Sequence, residues 1–144
     1  MKIGVLKESE KEKRVAVLPE HIPHLSKFGL EIIVEKDAGE GSYKADSEYI
    51  DAGAAIFDRK KLLSTADIII SVSAPGKETL EKLEEGKILI GTYNALSDPD
   101  MVKTLVKKKV SAFSLDLIPR ITRAQAMDVL SNMAVIVNGL TRGL

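Results

Sequence analysis

Residues 54–92 read AAIFDRKKLLSTADIIISVSAPGKETLEKLEEGKILIGT, and they show most clearly the pattern from which the fold is predicted. Three short apolar runs alternate in it with two charged segments; the runs lie at 54–57, 68–72 and 88–92, and the segments at 60–64 and 77–84. Continuous apolar runs of this length are typical of strands buried on both faces of a parallel sheet, and the segments between them are typical of crossover helices. The stretch therefore predicts a β-α-β-α-β unit.

The same alternation extends in both directions along the chain. Further strands are predicted at 3–6, 31–35 and 111–115, and further helices at 19–28, 46–51 and 99–107. Asp98 is a favourable N-cap for the last of these helices, and Gly29 is a natural residue to follow the first. No low-complexity linker divides the chain. The pattern predicts an α/β domain with a doubly wound, mainly parallel sheet, Rossmann-like (flavodoxin-like) in class.

The last part of the chain has a different pattern. From Arg123 to about Asn138 there is no Pro or Gly, and apolar residues recur at helical spacing. This pattern predicts one amphipathic helix of about 16 residues, roughly 24 Å long. We therefore divide the chain into an α/β domain at 1–122 and a connector helix with a tail at 123–144.

Composition excludes several classes of function. The 144 residues include 21 Lys and Arg against 21 Asp and Glu. The chain therefore has no net positive charge with which to attract nucleic acid or anionic membranes. With no Cys, disulfide scaffolds and cysteine nucleophiles are excluded. No apolar run approaches the ~18–20 residues of a membrane span, and the start has no signal-peptide core. We expect a cytoplasmic protein that does not insert into a membrane.

Two motifs favour structural interpretations. Gly39-Glu40-Gly41 begins like a dinucleotide-binding loop, but Lys44 stands where a third glycine is required, so a polar turn is favoured. His21 and His24 could form half of a metal site, but no acidic residue or Cys is spaced to complete it. We expect no metal.

Lys7, Glu8 and Arg14 form the first candidate site. Ligands of open α/β sheets bind beyond the carboxyl ends of strands, where Lys7 and Glu8 are expected. The guanidinium of Arg14 suits a carboxylate or a phosphate. The alternative is a surface ion-pair cluster, which spacing alone favours. A phospho-receiver is disfavoured, because such a domain needs adjacent acids after its first strand and this chain has Lys7-Glu8-Ser9.

The second candidate site lies at the start of the last helix. Arg120 and Arg123 place two cations at a helix N-terminus, against the helix dipole, which suggests an anionic partner or a role outside folding. Gln125, Asp128 and Ser131 follow at intervals of three and share one helix face. A binding face and a solvated face are equally compatible with this spacing.

These residues also carry a family resemblance. RITRAQAMD at 120–128, followed by VLS at 129–131, resembles a motif of the alanine dehydrogenase and proton-translocating NAD(P) transhydrogenase family. The opening is similar too, with KE at 7–8, RVA at 14–16 and PE at 19–20. AGEGS at 38–42 and AGA at 52–54 match further family positions, and the resemblance covers about residues 1–134.

Two positions distinguish the branches of this family. Alanine dehydrogenases carry a substrate-binding Lys before the Glu-Pro that follows the fourth strand, where this chain has Ser73 within SVSAP. They carry a catalytic His after the fifth strand, where this chain has Asn94. The resemblance to the transhydrogenase alpha subunit is therefore the closer one. It implies that Arg120, Gln125, Asp128 and Ser131 contact the nicotinamide end of NAD(H).

The resemblance also implies cofactors and partners. NAD(H) would bind here, and NADP(H) on a partner subunit. In the family the long helix continues into an NAD-binding Rossmann domain, and the chain then returns to complete the first domain. We expect this chain to lack that Rossmann domain, to associate with NADP-binding and membrane subunits, to form a homodimer and to be inactive alone. An alanine-type amino-acid dehydrogenase and a non-catalytic interaction domain remain alternatives.

Overall fold

The computed structural model describes residues 1–118, which form one six-stranded parallel sheet flanked by helices. The strands are β1 Lys2–Val5, β2 Glu31–Glu35, β3 Ala55–Phe57, β4 Ile68–Ser73, β5 Ile88–Thr92 and β6 Ser111–Ser114. The α-helices are α1 Ile22–Ser26, α2 Asp46–Asp51, α3 Arg59–Thr65, α4 Lys77–Glu81 and α5 Pro99–Lys108. Short 3-10 turns lie at Pro19–His21, Glu40–Ser42 and Leu115–Leu117.

The strand order is β3-β2-β1-β4-β5-β6, with every neighbouring pair parallel. The predicted α/β class with a doubly wound parallel sheet is confirmed. Of the two common orders in this class, this is the Rossmann order 3-2-1-4-5-6, and not the flavodoxin order 2-1-3-4-5. The chain direction across the sheet reverses between β1 and β4, which makes their carboxyl ends the expected binding crevice.

Two helices are shorter than the sequence predicts. The expected helix at 19–28 is a 3-10 turn followed by α1, because Pro23 has no backbone N–H to continue one regular helix through both. The helix expected at 77–84 ends at Glu81, and Leu83 is buried in the turn that follows. The predicted cap of α5 is confirmed, since the Asp98 carboxylate accepts a hydrogen bond from the Met101 N–H at 3.0 Å.

Apolar side chains form two cores, one on each face of the sheet. Ile22 of α1 and Tyr49 of α2 belong to one cluster, and residues of α3, α4 and α5 belong to the other. Gly4 of β1 lies under α3, where an added Cβ would come within 2.6 Å of Leu62. The lack of a side chain at Gly4 thus allows α3 to pack closely against the central strand.

The end of the chain lies outside the described residues. The predicted connector helix, the domain division at 122 and the candidate residues Arg120, Gln125, Asp128 and Ser131 all fall there. They remain predictions from the sequence.

Candidate functional site

The carboxylate of Glu8 connects the two central strands at the binding crevice. It accepts hydrogen bonds from the backbone N–H groups of Val72 at 2.5 Å and Ser73 at 3.1 Å. Burial raises the pKa of Glu8, and these two backbone hydrogen bonds oppose that effect. The Glu8 carboxylate therefore occupies the crevice between the carboxyl ends of β1 and β4.

The peptide backbone of Lys7 is held on both sides by a partly buried ion pair between Glu35 and Arg59. The carboxylate of Glu35 accepts from the Lys7 N–H at 2.8 Å, and the guanidinium of Arg59 donates to the Lys7 carbonyl at 2.7 Å. Arg59 also donates to Glu35 at 2.9 Å and to the Thr79 hydroxyl at 3.2 Å. These contacts fix the end of β1, from which Lys7 and Glu8 project.

A cavity of about 570 Å³ lies beyond the end of β1. Eight of its lining residues are ionisable, three cations and five acids: Lys7, Lys13, Arg14, Glu8, Glu10, Glu12, Asp37 and Glu40. A second cavity of about 220 Å³ shares Lys7, Glu8 and Ser9 with the first and extends to Ser73. Glu8 therefore stands between two cavities, and the lining charge of the larger one is negative when all these groups are ionised.

Glu12 binds the guanidinium of Arg14. The Glu12 carboxylate accepts from Arg14 Nε at 2.9 Å and from Arg14 Nη2 at 2.7 Å, a two-point contact. It also accepts from the backbone N–H of Arg14 at 2.9 Å. Hydrogen bonding to Arg14 lowers the pKa of Glu12 to about 2. In the structure, the group suited to an anionic ligand contacts a carboxylate of the protein itself.

The Gly39-Glu40-Gly41 turn supports this cavity. The motif forms a turn, as the favoured interpretation predicts, with a 3-10 segment at Glu40–Ser42 that follows Gly39. Glu40 accepts an ion-paired hydrogen bond from Lys7 at 3.2 Å. The hydroxyl of Ser42 donates to the Lys13 carbonyl at 2.9 Å. An added Cβ at Gly41 would lie 2.7 Å from that carbonyl oxygen. The turn therefore requires glycine because the loop carrying Arg14 packs directly against it.

The two positions that distinguish the family's branches have structural roles. Ser73 ends β4, and its backbone N–H binds Glu8. Asn94 follows β5 in a left-handed conformation with φ of 47°, and its side-chain oxygen accepts from the Ser97 hydroxyl at 3.2 Å. Neither side chain supplies a group that titrates near neutral pH.

The two histidines considered as half of a metal site lie on the surface. His21 and His24 are both exposed, and His24 makes an edge contact with the ring of Phe28 at 5.5 Å between centroids. Within residues 1–118, no group of three or more acidic, His or Cys side chains is arranged to hold a metal ion. No helix in the same range is both long and apolar enough to cross a bilayer.

The structure brings Lys7, Glu8 and Arg14 to one cavity, although all three also take part in hydrogen bonds or ion pairs with neighbouring groups. Sequence reasoning missed Glu12, Glu35 and Arg59. The signal for Glu35 was its position as the last residue of the apolar run at 31–35, where a carboxylate reaches the carboxyl edge of the sheet. Glu12 and Arg59 carried no comparable signal.

Comparison with known proteins agrees with this architecture. Residues 4–137 match the profile of the family described as "Alanine dehydrogenase/PNT, N-terminal domain". The chain belongs to this family. It is 39% identical over 137 residues to the NAD(P) transhydrogenase subunit alpha of Haemophilus influenzae, covering 94% of this chain and 27% of that protein. The alanine dehydrogenase of Methanococcus maripaludis is 36% identical over 120 residues, covering 82% and 32% of the two chains.

The solved transhydrogenase from Sinorhizobium meliloti contains a region with a similar fold. It superposes with a TM-score of 0.88 at 32% identity, covering 93% of this chain and 40% of that one. The chain therefore spans between about a quarter and two fifths of the length of these three proteins.

Proposed function

We propose that the chain is the N-terminal segment of the NAD(H)-binding alpha subunit of a Re/Si-specific NAD(P) transhydrogenase. The observation that carries this proposal is the identity of the residues at the ends of β4 and β5, Ser73 and Asn94, neither of which is a Lys or a His. In alanine dehydrogenases, as the resemblance implies, a Lys at the first of these positions binds the substrate carboxylate. A His at the second position transfers the proton. Hydride transfer between two nicotinamides needs aligned rings and exclusion of water, and no general base.

The described residues do not fit the pyrophosphate of a dinucleotide. The connection from β1 to the first helical turn, residues 6–18, contains no glycine, whereas a phosphate-binding turn depends on glycine. The Glu8 carboxylate lies in the crevice, where it would repel phosphate. The proposed binding of NAD(H) therefore involves the nicotinamide end, with the phosphates held by a separate Rossmann domain of a longer enzyme.

We assign roles to two groups of residues within this proposal. Arg120, Gln125, Asp128 and Ser131 would position the nicotinamide of NAD(H), as the resemblance implies. Lys7, Glu8 and Arg14 would form the adjoining wall of the pocket. NADP(H) would bind to a partner subunit, and no metal takes part.

The remaining proposals concern assembly. We propose that the domain packs against the rest of a longer enzyme through an apolar groove of about 920 Å³ between α5 and β6. Val106 and Phe113 in this groove are 70% and 59% exposed, which supports a covering partner. We also propose that the chain forms a homodimer and associates with NADP-binding and membrane subunits. This assembly would place it in the cytoplasm beside the inner membrane. Sedimentation at twice the monomer mass would support the dimer.

Hydride transfer provides the direct test. The 144-residue chain alone is expected to give no NADH-dependent reduction of an NADP analogue. The same chain joined to the remaining domains of an alpha subunit, and mixed with an NADP-binding subunit, is expected to restore it. Reduction by the chain alone would contradict the proposal, as would an inactive but well-folded assembly.

Two experiments separate the alternatives. Alanine-dependent reduction of NAD by a full-length parent would favour the amino-acid dehydrogenase, to which the 36% identity with an alanine dehydrogenase also points. Titration of the chain with NADH tests the non-catalytic alternative. Millimolar or absent affinity fits a segment of an enzyme, whereas micromolar affinity would indicate a self-sufficient binding domain.

A further inference from the structure

Asp116 joins the carboxyl ends of β5 and its neighbour β6. The Asp116 carboxylate accepts hydrogen bonds from the Tyr93 backbone N–H at 3.1 Å and from the Ser114 hydroxyl. The Ser114 oxygen accepts from the same Tyr93 N–H at 3.2 Å. A carboxylate that follows β6 therefore binds the first residue beyond β5.

This contact continues the sheet beyond the strands themselves. The ladder between β5 and β6 ends at the pair formed by Gly91 and Ser114. Past that pair, the carboxylate of Asp116 accepts the Tyr93 N–H in the place of a strand carbonyl. Glu8 does the same at the end of β4. Both acids lie at the carboxyl edge of the sheet, where ligands of open α/β sheets bind.

The contact made by Asp116 is charge-assisted. Burial acts to raise the pKa of Asp116, but hydrogen bonds from the Ser114 hydroxyl and from backbone N–H groups outweigh burial and lower the pKa. The carboxylate is therefore ionised at neutral pH. Hydrogen bonds to an ionised acceptor are roughly twice as strong as those between neutral groups, so Asp116 holds this corner of the sheet firmly.

The turn that contains Asp116 determines the direction in which the chain leaves the sheet. It is the 3-10 turn at Leu115–Leu117, closed by a hydrogen bond from the Ile118 N–H to the Leu115 carbonyl at 3.4 Å. Ile118 is extended, with φ of −64° and ψ of 123°, as a residue before proline prefers. Pro119 has a fixed φ, so the connection that follows is short and stiff.

From this geometry we infer that Asp116 is a positioning residue for hydride transfer. By fixing the turn that precedes Pro119, it sets the orientation of Arg120, which is four residues further on and therefore within about 14 Å along the chain. Arg120 itself lies outside the described residues. The inference rests on the proposed function, in which Arg120 contacts the nicotinamide, and adds to it the group that holds Arg120 in place.

The test measures hydride transfer in the assembled enzyme, in which the chain is joined to the remaining domains of an alpha subunit and mixed with an NADP-binding subunit. Asp116→Ala should lower kcat by about tenfold to a hundredfold, because a misplacement of about 1 Å has an effect of this order. The KM for NADH should change by less than about threefold, because another domain holds the phosphates in the proposed function.

Asp116→Asn tests whether geometry is what matters. Its amide oxygen still accepts the Tyr93 N–H, and its NH₂ group donates to the Ser114 oxygen. The kcat of this variant should therefore lie within about threefold of the wild-type value. Ser114→Ala removes one of the two contacts and should give an intermediate loss, and this variant decides the question if Asp116→Ala does not fold.

Two controls separate positioning from a general loss of stability. Tyr49→Phe weakens the fold from the opposite face of the sheet, where the Tyr49 hydroxyl binds the Val17 carbonyl, and should keep the wild-type kcat. Asp100→Asn removes a carboxylate that is 91% exposed and paired with Lys103, and should also keep it. Thermal melts of all the variants measure how much stability each has lost.

A second readout does not involve activity. In nuclear magnetic resonance spectra of the 144-residue chain, Asp116→Ala should shift the amide resonances of Arg120 and Ile121, beyond the groups that Asp116 contacts directly. Asp116→Asn should shift them less, and Asp100→Asn should leave them unchanged.

Four results would overturn the inference: a kcat of Asp116→Ala within about threefold of the wild type, a loss that appears in KM instead of kcat, an equal loss in Asp116→Asn, or unchanged resonances of Arg120 and Ile121. If the wild-type assembly is inactive, the proposed function fails, and the resonances alone decide the role of Asp116. If the wild-type assembly is active and Asp116→Ala matches it, only the role of Asp116 fails.

Discussion

Glu8 and Ser73 are 65 positions apart in sequence, yet the carboxylate of Glu8 accepts the backbone N–H of Ser73 at 3.1 Å. The contact joins the carboxyl ends of β1 and β4, where the chain direction across the sheet reverses. Crevices at this point commonly receive a ligand in related folds. In this protein a side chain of the protein itself occupies it, which gives Glu8 a measurable effect on stability.

Replacing Glu8 by Gln should change how stability depends on pH. Burial raises the pKa of Glu8, so the folded state holds the proton more tightly than the unfolded chain does. Its contribution is therefore fully present below the ordinary value of 4.5 and is lost as pH rises through the higher folded pKa. Between pH 4 and pH 7, the unfolding free energy of Glu8→Gln should fall less, or rise more, than that of the wild type.

Urea unfolding at a series of pH values measures this slope. Glu78→Gln is the matched control, because Lys82 lowers the pKa of Glu78 and its contribution has the opposite sign. Parallel curves for the wild type and Glu8→Gln would show that the carboxylate is not destabilised by burial.

Replacing Arg59 by Ala should destabilise the domain. The change leaves the carboxylate of Glu35, which is 11% exposed, without its cationic partner. Breaking a fully buried pair costs about 3–5 kcal/mol, and we expect about 2 kcal/mol here because Arg59 is 41% exposed and partly screened by water.

Urea unfolding compares this variant with Lys103→Ala, which breaks an ion pair with Asp100 whose members are 76% and 91% exposed. That control should lose less than about 0.5 kcal/mol. Equal losses in the two variants would contradict a structural role for the pair between Arg59 and Glu35.

Replacing Gly41 by Ala should displace the loop that carries Arg14. The new Cβ would lie 2.7 Å from the Lys13 carbonyl oxygen, which is a backbone atom and cannot rotate away. We expect a loss of about 1–3 kcal/mol, together with chemical-shift changes at residues 12–14.

Gly76→Ala is the control for this prediction. Nothing lies within 4 Å of an added Cβ at Gly76, and its φ of −61° suits any residue. Gly76 is the N-cap of α4, where Ala is less favourable than Gly, so the loss should stay below about 1 kcal/mol. If Gly41→Ala behaves in the same way, the loop does not depend on this close approach.

Replacing Tyr49 by Phe should cost about 1–2 kcal/mol, because the Val17 carbonyl loses a buried hydrogen bond. Tyr49 is fully buried, and its hydroxyl donates to that carbonyl at 3.1 Å. Tyr43→Phe, at a position that is 96% exposed, serves as the control and should be neutral. Thermal unfolding of the two variants provides the comparison, and equal midpoints would contradict the prediction.

The sheet could be predicted from sequence because its signal is local. Runs such as IIIS at 68–71 are apolar over a strand's length, and every predicted strand lies within two residues of its observed bounds. The strand order could not be predicted, because it depends on which face each crossover helix packs against. The predicted helix at 19–28 is too long, because Pro23 lies inside it and has no backbone N–H to continue a regular helix.

The candidate site was predicted only in part. Lys7 and Glu8 directly follow a strand, so their place at the edge of the sheet could be inferred. The pairing of Glu12 with Arg14 depends on a loop conformation that Ser42, 29 positions from Lys13, helps to fix. Contacts between loops so distant in sequence leave no periodic pattern, and a charged residue such as Arg59 resembles any surface residue.

The exposed edge of the sheet at β6 affects how the protein behaves in the cell. Within residues 1–118, β6 is an outer strand, and its Phe113 is largely exposed. Exposed apolar edge strands promote pairing between copies and aggregation. A copy in which this strand stays uncovered would therefore present a surface that chaperones and proteases select.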